Sequence, residues 1–238
     1  EFELGQATSH QKVMRGKISF SGVTHRPDPL TKPVLNQVSF SSEPGEVVVV
    51  MGSGIAARTA LLDLVNGLYA PLAGTIEHDG IDIRQIARDE LRRSISLATQ
   101  DANLFYGTVA QNFRLAAPSA TDADMNRAMT NVGLSGAIKG LPEGLQTRLR
   151  DDVASVLPEH TLKALTLARS IVRQTPIYLF SEPTYGLNTH GRTCFKNWVM
   201  AEKGQRTVYL ATSDRSFLPL ADRFMFLDEG RLTVNDTG

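Results

Sequence analysis

The sequence has few of the residues that cross-link or bind metal in small domains. Its 238 residues include one cysteine, Cys194, so no internal disulfide can form and a reducing, cytoplasmic compartment is the simplest expectation. The five histidines are scattered, and we see no His or Cys at metal-ligand spacing from Cys194. We therefore expect no structural zinc site.

The chain also lacks an excess of charge and a long apolar run. Lys plus Arg and Asp plus Glu both number 25, so no overall positive field favours nucleic acid as a partner. The arginines of residues 84–93 alternate with acidic residues, which is typical of a solvated helix face. Without 18 consecutive apolar residues or a signal-peptide core, the chain is expected neither to span nor to cross a membrane.

The pattern along the chain predicts one α/β domain. Residues 1–15 are polar and irregular, and we interpret them as a linker or an added tail, which leaves 16–238 as the folded domain. Segments rich in strand formers and separated by Pro and Gly predict an antiparallel sheet at residues 17–20, 34–40 and 75–78.

The second half of the chain alternates between helical and strand patterns. Residues 101–163 are expected to be mainly helical, and helical spacing is clearest at 123–132 and 161–172. Short apolar runs at 177–180 and 207–211 each follow a helical stretch, which predicts parallel strands.

Residues 52–59, Gly-Ser-Gly-Ile-Ala-Ala-Arg-Thr, match the phosphate-binding loop G-x-x-x-x-G-K-[ST] except at two positions. Ala57 replaces the last glycine and Arg58 replaces the lysine. An apolar run at 47–51 predicts a buried strand before the loop, and Thr59 is expected to open a buried helix. Taken alone, the octapeptide also fits an ordinary glycine-containing turn between a strand and a helix.

The order and spacing of further motifs make the chain resemble the nucleotide-binding domain of an ATP-binding cassette (ABC) transporter. The resemblance is strongest to the exporter branch, which includes type I secretion and multidrug exporters. The matching stretches are Pro33-Val34-Leu35, Pro44-Gly45-Glu46, Gly80-Ile81-Asp82-Ile83, Leu91-Arg92-Arg93, Gln100-Asp101, Leu104-Phe105, Gly107-Thr108-Val109, Leu141-Pro142-Glu143-Gly144, Leu167-Ala168-Arg169, Glu182-Pro183-Thr184, Ala221-Asp222-Arg223 and Leu227-Asp228-Glu229-Gly230-Arg231.

This resemblance implies a fold, cofactors and partners. The fold would be a P-loop NTPase (RecA-like) parallel core with an antiparallel β subdomain and a helical subdomain at about 101–163. The cofactors would be ATP and Mg. The partners would be the transmembrane domain of an exporter and a second cassette domain, and the location the cytoplasmic face of the inner (plasma) membrane.

The resemblance also assigns site residues one by one. The phosphate loop maps to Gly52, Ser53, Gly54, Ala57, Arg58 and Thr59. Magnesium would be contacted by Thr59 and Gln100, while Ser181 stands where the family has a metal-orienting aspartate. Glu182 matches the glutamate that polarises the attacking water, and Ser213 stands at the position of the switch histidine.

Several family positions carry other residues, so we expect weak or absent ATP hydrolysis. The adenine-stacking aromatics fall on His25 and Pro27. The signature Leu-Ser-Gly-Gly-Gln falls on residues 157–161, to within one residue, where both glycines are missing and Glu159 would repel a phosphate. Asn188 replaces an aspartate, and Ala57 is expected to be strained by roughly 1 kcal/mol if the loop needs a positive φ.

Three functional hypotheses follow, in this order. The first is a transporter subunit that binds nucleotide through Arg58, Thr59 and Gln100 and leaves hydrolysis to a partner's site. The second is a regulatory or interaction module that binds no nucleotide. The third is an active ATPase with unconventional site residues, because fold does not dictate function.

Overall fold

The computed structural model describes residues 14–28, 30–101, 103–136, 141, 143–149 and 157–236. The strands in these residues are Ile18–His25 (β1), Leu35–Ser42 (β2), Val47–Gly52 (β3), Ala73–His78 (β4), Ile81–Asp82 (β5), Ile95–Ala98 (β6), Gly107–Thr108 (β7), Arg148–Leu149 (β8), Ile177–Ser181 (β9), Thr207–Ala211 (β10), Arg223–Asp228 (β11) and Arg231–Asp236 (β12). The longer helices are Ile55–Val65 (α1), Arg88–Ser94 (α2), Val109–Ala116 (α3), Asp122–Thr130 (α4), Glu159–Ile171 (α5) and Thr189–Glu202 (α6).

The amino-terminal strands form the antiparallel sheet that the sequence predicted. Its strand order is β2-β1-β4-β5, and every neighbouring pair is antiparallel. Residues with high strand propensity form these strands, and glycines form the turns between them. Strand β1 ends at His25, five residues beyond the predicted end at 20.

The second sheet is the parallel core. Its order is β12-β11-β3-β10-β9-β6, in which β11, β3, β10, β9 and β6 run parallel and only β12 is antiparallel at one edge. The carboxyl ends of β3, β10 and β9 therefore lie side by side at one edge of the sheet. This combination of a parallel core and an antiparallel sheet confirms the predicted fold class.

The buried central strand β3 joins two apolar cores. Val47 and Val49 pack into the core on the side of α3 to α6, whereas Val48 and Val50 pack into the core formed with α1 and the antiparallel sheet. All four valines are fully buried. Because side chains alternate along a strand, an unbroken apolar run is what a strand covered on both faces requires.

Residues 101–163 contain α3, α4 and the first turn of α5, together with a small ribbon in which β7 pairs with β8. Thr108 and Thr121 cap α3 and α4, and each forms a reciprocal capping box with the residue three positions on. Whether 101–163 is a separate subdomain, and whether 1–15 is a linker, stay predictions. Within the described ranges, no helix has the length and apolar character needed to cross a membrane.

Candidate functional site

The junction between β3 and α1 is a short turn that leads directly into a regular helix. A Cβ on Gly52 would lie 1.8 Å from the Leu227 carbonyl oxygen, so this position accepts only glycine. Two residues later, Gly54 is the N-cap of α1, which begins at Ile55. The backbone N–H of Arg58 donates to the Gly54 carbonyl at 3.3 Å, as in an ordinary helical turn.

Two expectations about this junction are wrong. Thr59 does not open the helix, because α1 has already started four residues earlier. Ala57 has no positive φ and no strain from one, because it lies in the first turn of α1. None of residues 53–59 has a left-handed φ, so their backbone lacks the alternation of right- and left-handed residues that forms a phosphate nest, although the first N–H groups of α1 have no side-chain cap. Alanine is the strongest helix former, which explains why Ala56 and Ala57 extend the helix.

Arg58 and Glu182 form a buried ion pair at the centre of the site. Arg58 Nη2 lies 2.7 Å from Glu182 Oε1, and the two side chains are 6% and 12% exposed. Arg58 Nη1 donates to the Gly52 carbonyl oxygen, so the guanidinium bridges the ends of β3 and β9. The planar guanidinium makes both contacts at once because it carries donors on separate nitrogen atoms. A lysine has one ammonium nitrogen and does not reproduce this geometry.

The Glu182 carboxylate is also bonded to the residues after β10. It accepts from Thr212 Oγ1 at 3.0 Å, from the Ser213 backbone N–H at 3.0 and 3.2 Å, and from Ser213 Oγ at 3.3 Å. The backbone of Glu182 has a left-handed φ of 47°. Each carboxylate oxygen has partners inside the protein, so Glu182 is not free to polarise a water molecule in this arrangement.

The residues assigned to magnesium lie apart. Gln100 and Ser181 line a small cavity together with Glu182, because they follow or end neighbouring strands of the parallel sheet. Thr59 does not line this cavity, and its hydroxyl has no hydrogen-bond partner among the described residues. Ser181 supplies a hydroxyl where a carboxylate would bind a hard cation more strongly.

The two other phosphate-loop residues have structural contacts. Ser53 Oγ donates to Asp228 Oδ1 at 2.8 Å. Gly54 supplies the N-cap of α1 without any side-chain hydrogen bond. The residues assigned to the loop thus lie at the end of β3, in the turn that follows and in the first turns of α1.

The adenine-stacking position has no exposed aromatic ring on β1. His25 is 7% exposed, and its ring centroid lies 5.7 Å from that of Tyr69. Burial lowers the pKa of His25 and raises the pKa of the neighbouring Asp63. Pro27 is exposed and has no aromatic face, so neither residue offers a platform for a base.

The signature position is occupied by an ordinary helix start. Pro158 is the N-cap of α5 and makes no side-chain capping bond, while the acidic Glu159 lies in the first turn. The Glu159 carboxylate stabilises α5, because a negative charge is favourable at a helix N-terminus. The same helix N-terminus is where an anionic ligand would bind, so the carboxylate disfavours such a ligand. The one-residue uncertainty in the register of residues 157–161 stays open, because residues 150–156, which precede them, lie outside the described residues.

Helix α6 begins with a capping residue that sequence reasoning had treated as a functional loss. Asn188 Oδ1 accepts from the Gly191 N–H at 2.8 Å and thereby caps α6. On the same helix, Cys194 Sγ lies 3.6 Å from His190 Nε2. The statement that Cys194 has no histidine at ligand spacing is therefore wrong, since residues four apart share a helix face. Across the described part of the chain, no group of three or more His, Cys, Asp and Glu side chains is arranged to hold a metal.

Sequence reasoning missed two polar contacts at this site. Thr212 bonds Glu182, and Lys163 Nζ on α5 donates to the Gln100 carbonyl oxygen at 3.0 Å. The run Thr212-Ser213-Asp214 after a buried strand was a usable signal, because polar residues at the carboxyl ends of parallel strands meet at one edge. Nothing in the sequence around Lys163 distinguishes it from a solvent-facing helix residue.

Comparison with known proteins identifies the family. Residues 35–185 match the family model described as ABC transporter. The chain is 32% identical over 221 residues to the ATP-dependent lipid A-core flippase of Cupriavidus metallidurans, covering 92% of the chain and 37% of the relative. It is 30% identical over 207 residues to the β-(1→2)glucan export ATP-binding/permease protein NdvA of Agrobacterium fabrum, covering 87% and 35% respectively.

A solved structure supports the same assignment. The structure of a bacterial Atm1-family ABC exporter with ATP bound matches with a TM-score of 0.86 and 26% identity, covering 93% of this chain and 39% of that one. The chain spans little more than a third of the length of these relatives. The fold and these similarities together place the chain in the ABC transporter family, as a cassette domain whose relatives are exporters.

Proposed function

We propose that the chain is the cassette domain of a membrane exporter in which the nucleotide site is degenerate. It binds MgATP weakly or not at all, hydrolyses it poorly, and acts together with a transmembrane domain and a second cassette domain at the cytoplasmic face of the membrane. The names of its relatives support the export role, because they include a lipid flippase and a glucan exporter. A type I secretion role is one form of this proposal.

The Arg58–Glu182 ion pair carries the proposal. In a working site, the positive side chain of the loop contacts phosphate and the glutamate contacts water. Here the two side chains neutralise each other at 2.7 Å, while α1 replaces the phosphate loop. Binding of a nucleotide at this position requires the pair to separate and the first turn of α1 to unwind, and both steps cost free energy.

The residues present do not fit a magnesium nucleotide in this arrangement. Gly52, Ser53 and Gly54 precede a regular helix, Ala57 and Arg58 belong to it, and the N–H groups left for phosphate oxygens are those of the uncapped first turn of α1. Of the assigned metal contacts, Thr59 and Gln100 keep uncharged oxygens, and Ser181 lacks the carboxylate. We therefore derive no catalytic step through ATP or Mg.

A second candidate function is a regulatory or interaction module that uses no nucleotide. The hydrogen bonds of Glu182 to Thr212 and Ser213 favour it, because the polar groups of the site are satisfied without any ligand. The third hypothesis, an active ATPase, requires that Glu182 leave four donor contacts before it can act on water.

Calorimetry of MgATP binding, followed by a phosphate-release assay on the same preparation, separates the three candidates. A weak saturable heat without phosphate release supports a nucleotide-binding, catalytically impaired subunit. No saturable heat at about 5 mM ATP, equivalent to a binding free energy weaker than about −3 kcal/mol, supports the nucleotide-free module. Release of phosphate that Glu182→Gln abolishes and exposed Glu43→Gln leaves unchanged would refute the proposal of impaired hydrolysis.

A further inference from the structure

A cavity of about 110 Å³ lies between α5 and β6, the edge strand of the parallel sheet. Its wall includes Ser96 of β6, Ser170 of α5 and Ala116 at the end of α3. It shares two wall residues with the cavity at Gln100, but no residue of its wall was assigned to nucleotide or magnesium. Its volume is well below the range of about 300–1,000 Å³ that is typical of sites for drug-sized molecules. The cavity therefore suits an ion or a molecule of a few heavy atoms.

Two arginines carry the charge of the cavity wall. Arg169 on α5 and Arg173 just after that helix both line it, and the described residues of its wall include no carboxylate. Both side chains are partly buried, and burial lowers the pKa of each guanidinium. Two positive charges at one small, partly dry cavity repel each other. An anion bound between them offsets this repulsion and the loss of hydration.

Backbone carbonyls hold both guanidinium groups in place. Arg169 Nη1 donates to the Asn103 carbonyl oxygen at 2.9 Å. Arg173 Nη1 donates to the Ile95 carbonyl oxygen at 3.1 Å, and its Nη2 donates to the Arg92 carbonyl oxygen. A guanidinium has five N–H donors, so each arginine keeps donors that these contacts leave unused. The carbonyls are uncharged, so they leave the two positive charges without an anionic partner.

We propose that this cavity binds a small tetrahedral oxyanion, with inorganic phosphate as the model ligand. A carboxylate offers two oxygens, which a single guanidinium fork occupies, whereas a phosphate has oxygens for both forks. The hydroxyls of Ser96 and Ser170 already donate to backbone carbonyls, so the arginines make the contacts to the anion. The proposal does not depend on whether the chain binds ATP.

Calorimetry with inorganic phosphate at constant ionic strength, with sodium chloride as the blank, tests the site. We expect saturable binding with a dissociation constant of about 1 mM. In Arg169→Gln and in Arg173→Gln, we expect the dissociation constant to rise about tenfold, because each variant loses a charged hydrogen bond. Arg93→Gln changes an exposed arginine on α2 and is the matched control, which keeps the wild-type affinity. Phosphate that binds instead at the uncapped N-terminus of α1 leaves all three variants with wild-type affinity, and that result would overturn the proposal.

A second pair of variants keeps both arginines and their carbonyl contacts. Ala116→Glu places a carboxylate on the cavity wall, where it competes with phosphate for the arginines, whereas Ala116→Gln adds a side chain of the same size without the charge. We expect phosphate to bind about tenfold more weakly to Ala116→Glu than to Ala116→Gln, while circular dichroism shows both chains folded. Equal affinity in these two variants, no saturable heat at about 10 mM phosphate, or acetate binding as tightly as phosphate would each refute the site.

Discussion

A double-mutant cycle on Arg58 and Glu182 tests the central feature of the site. Removing one partner of a buried ion pair typically costs about 3–5 kcal/mol, because the other charge is left buried and unpaired. In Arg58→Met, Glu182 keeps its donors Thr212 and Ser213, so we expect a loss near the lower limit, about 3 kcal/mol. In Glu182→Gln, the Arg58 charge keeps only the Gly52 carbonyl and one amide oxygen, and we expect about 2 kcal/mol.

The double variant removes both charges and leaves neither uncompensated. We therefore expect it to lose about 2 kcal/mol less than the sum of the single variants. The free energy of unfolding is measured by urea titration, with Trp198 fluorescence as the readout. Trp198 packs against Tyr178 and Phe195, so its emission follows loss of the core.

The matched control is the surface pair of Arg92 and Asp89. Their side chains are 76% and 79% exposed, and Arg92 Nη1 lies 3.8 Å from Asp89 Oδ1. Such pairs couple by no more than about 0.5 kcal/mol. If the Arg58 and Glu182 losses add to within about 0.5 kcal/mol, the pair does not couple in solution and the self-neutralised site is not the state that the protein adopts.

Three further predictions concern stability. Burial lowers the pKa of His78 to about 4 from 6.5, although Asp79 acts in the opposite direction, so the unfolded chain binds the proton first as pH falls. The stability that neutral His78 contributes is complete above pH 6.5, and about 3 kcal/mol of it is lost as the pH falls towards 4. Urea titrations of the wild type and of His78→Leu at several pH values measure this loss. If the free energy of unfolding depends on pH equally in both proteins, the prediction is wrong. Gly52→Ala places a Cβ 1.8 Å from a carbonyl oxygen and is expected to prevent folding. The control is Gly22→Ala, whose Cβ meets open space and whose positive φ costs only about 1 kcal/mol. A soluble Gly52→Ala chain with a folded circular dichroism spectrum would contradict the predicted clash. Asn188→Ala removes the cap of α6 and is expected to cost about 1 kcal/mol in thermal unfolding, while Asn188→Asp retains it; equal losses in the two variants rule out capping as the cause.

The sequence predicted the fold well because burial determines it. The run Thr207–Ala211 is short, apolar and bounded by polar residues, and β10 has these bounds. The five apolar residues at 47–51 likewise become the central strand, one residue longer at Gly52. In each case the local pattern and the tertiary environment favour the same element, so no long-range information was needed.

The site was less predictable than the fold. Matching residues 52–59 to a family pattern led to the expectation of a loop, but Ala57, which replaces the last glycine, is a helix former and lies in the first turn of α1. The ion pair joins residues 124 positions apart, Arg58 on α1 and Glu182 directly after β9, so no local pattern reveals it. By contrast, the proximity of His190 and Cys194 was readable from their spacing of four.

The separate replacements at the site have one physical consequence in common. Arginine in place of lysine supplies a planar guanidinium with several donors, and from its position in the first turn of α1 it contacts both Gly52 and Glu182. Once Glu182 is paired, a hydroxyl at Ser213 is sufficient to complete its hydrogen bonds. A site whose charges are satisfied internally gains little from a polyanion, because the ion pair of Arg58 and Glu182 must separate before either side chain can contact one.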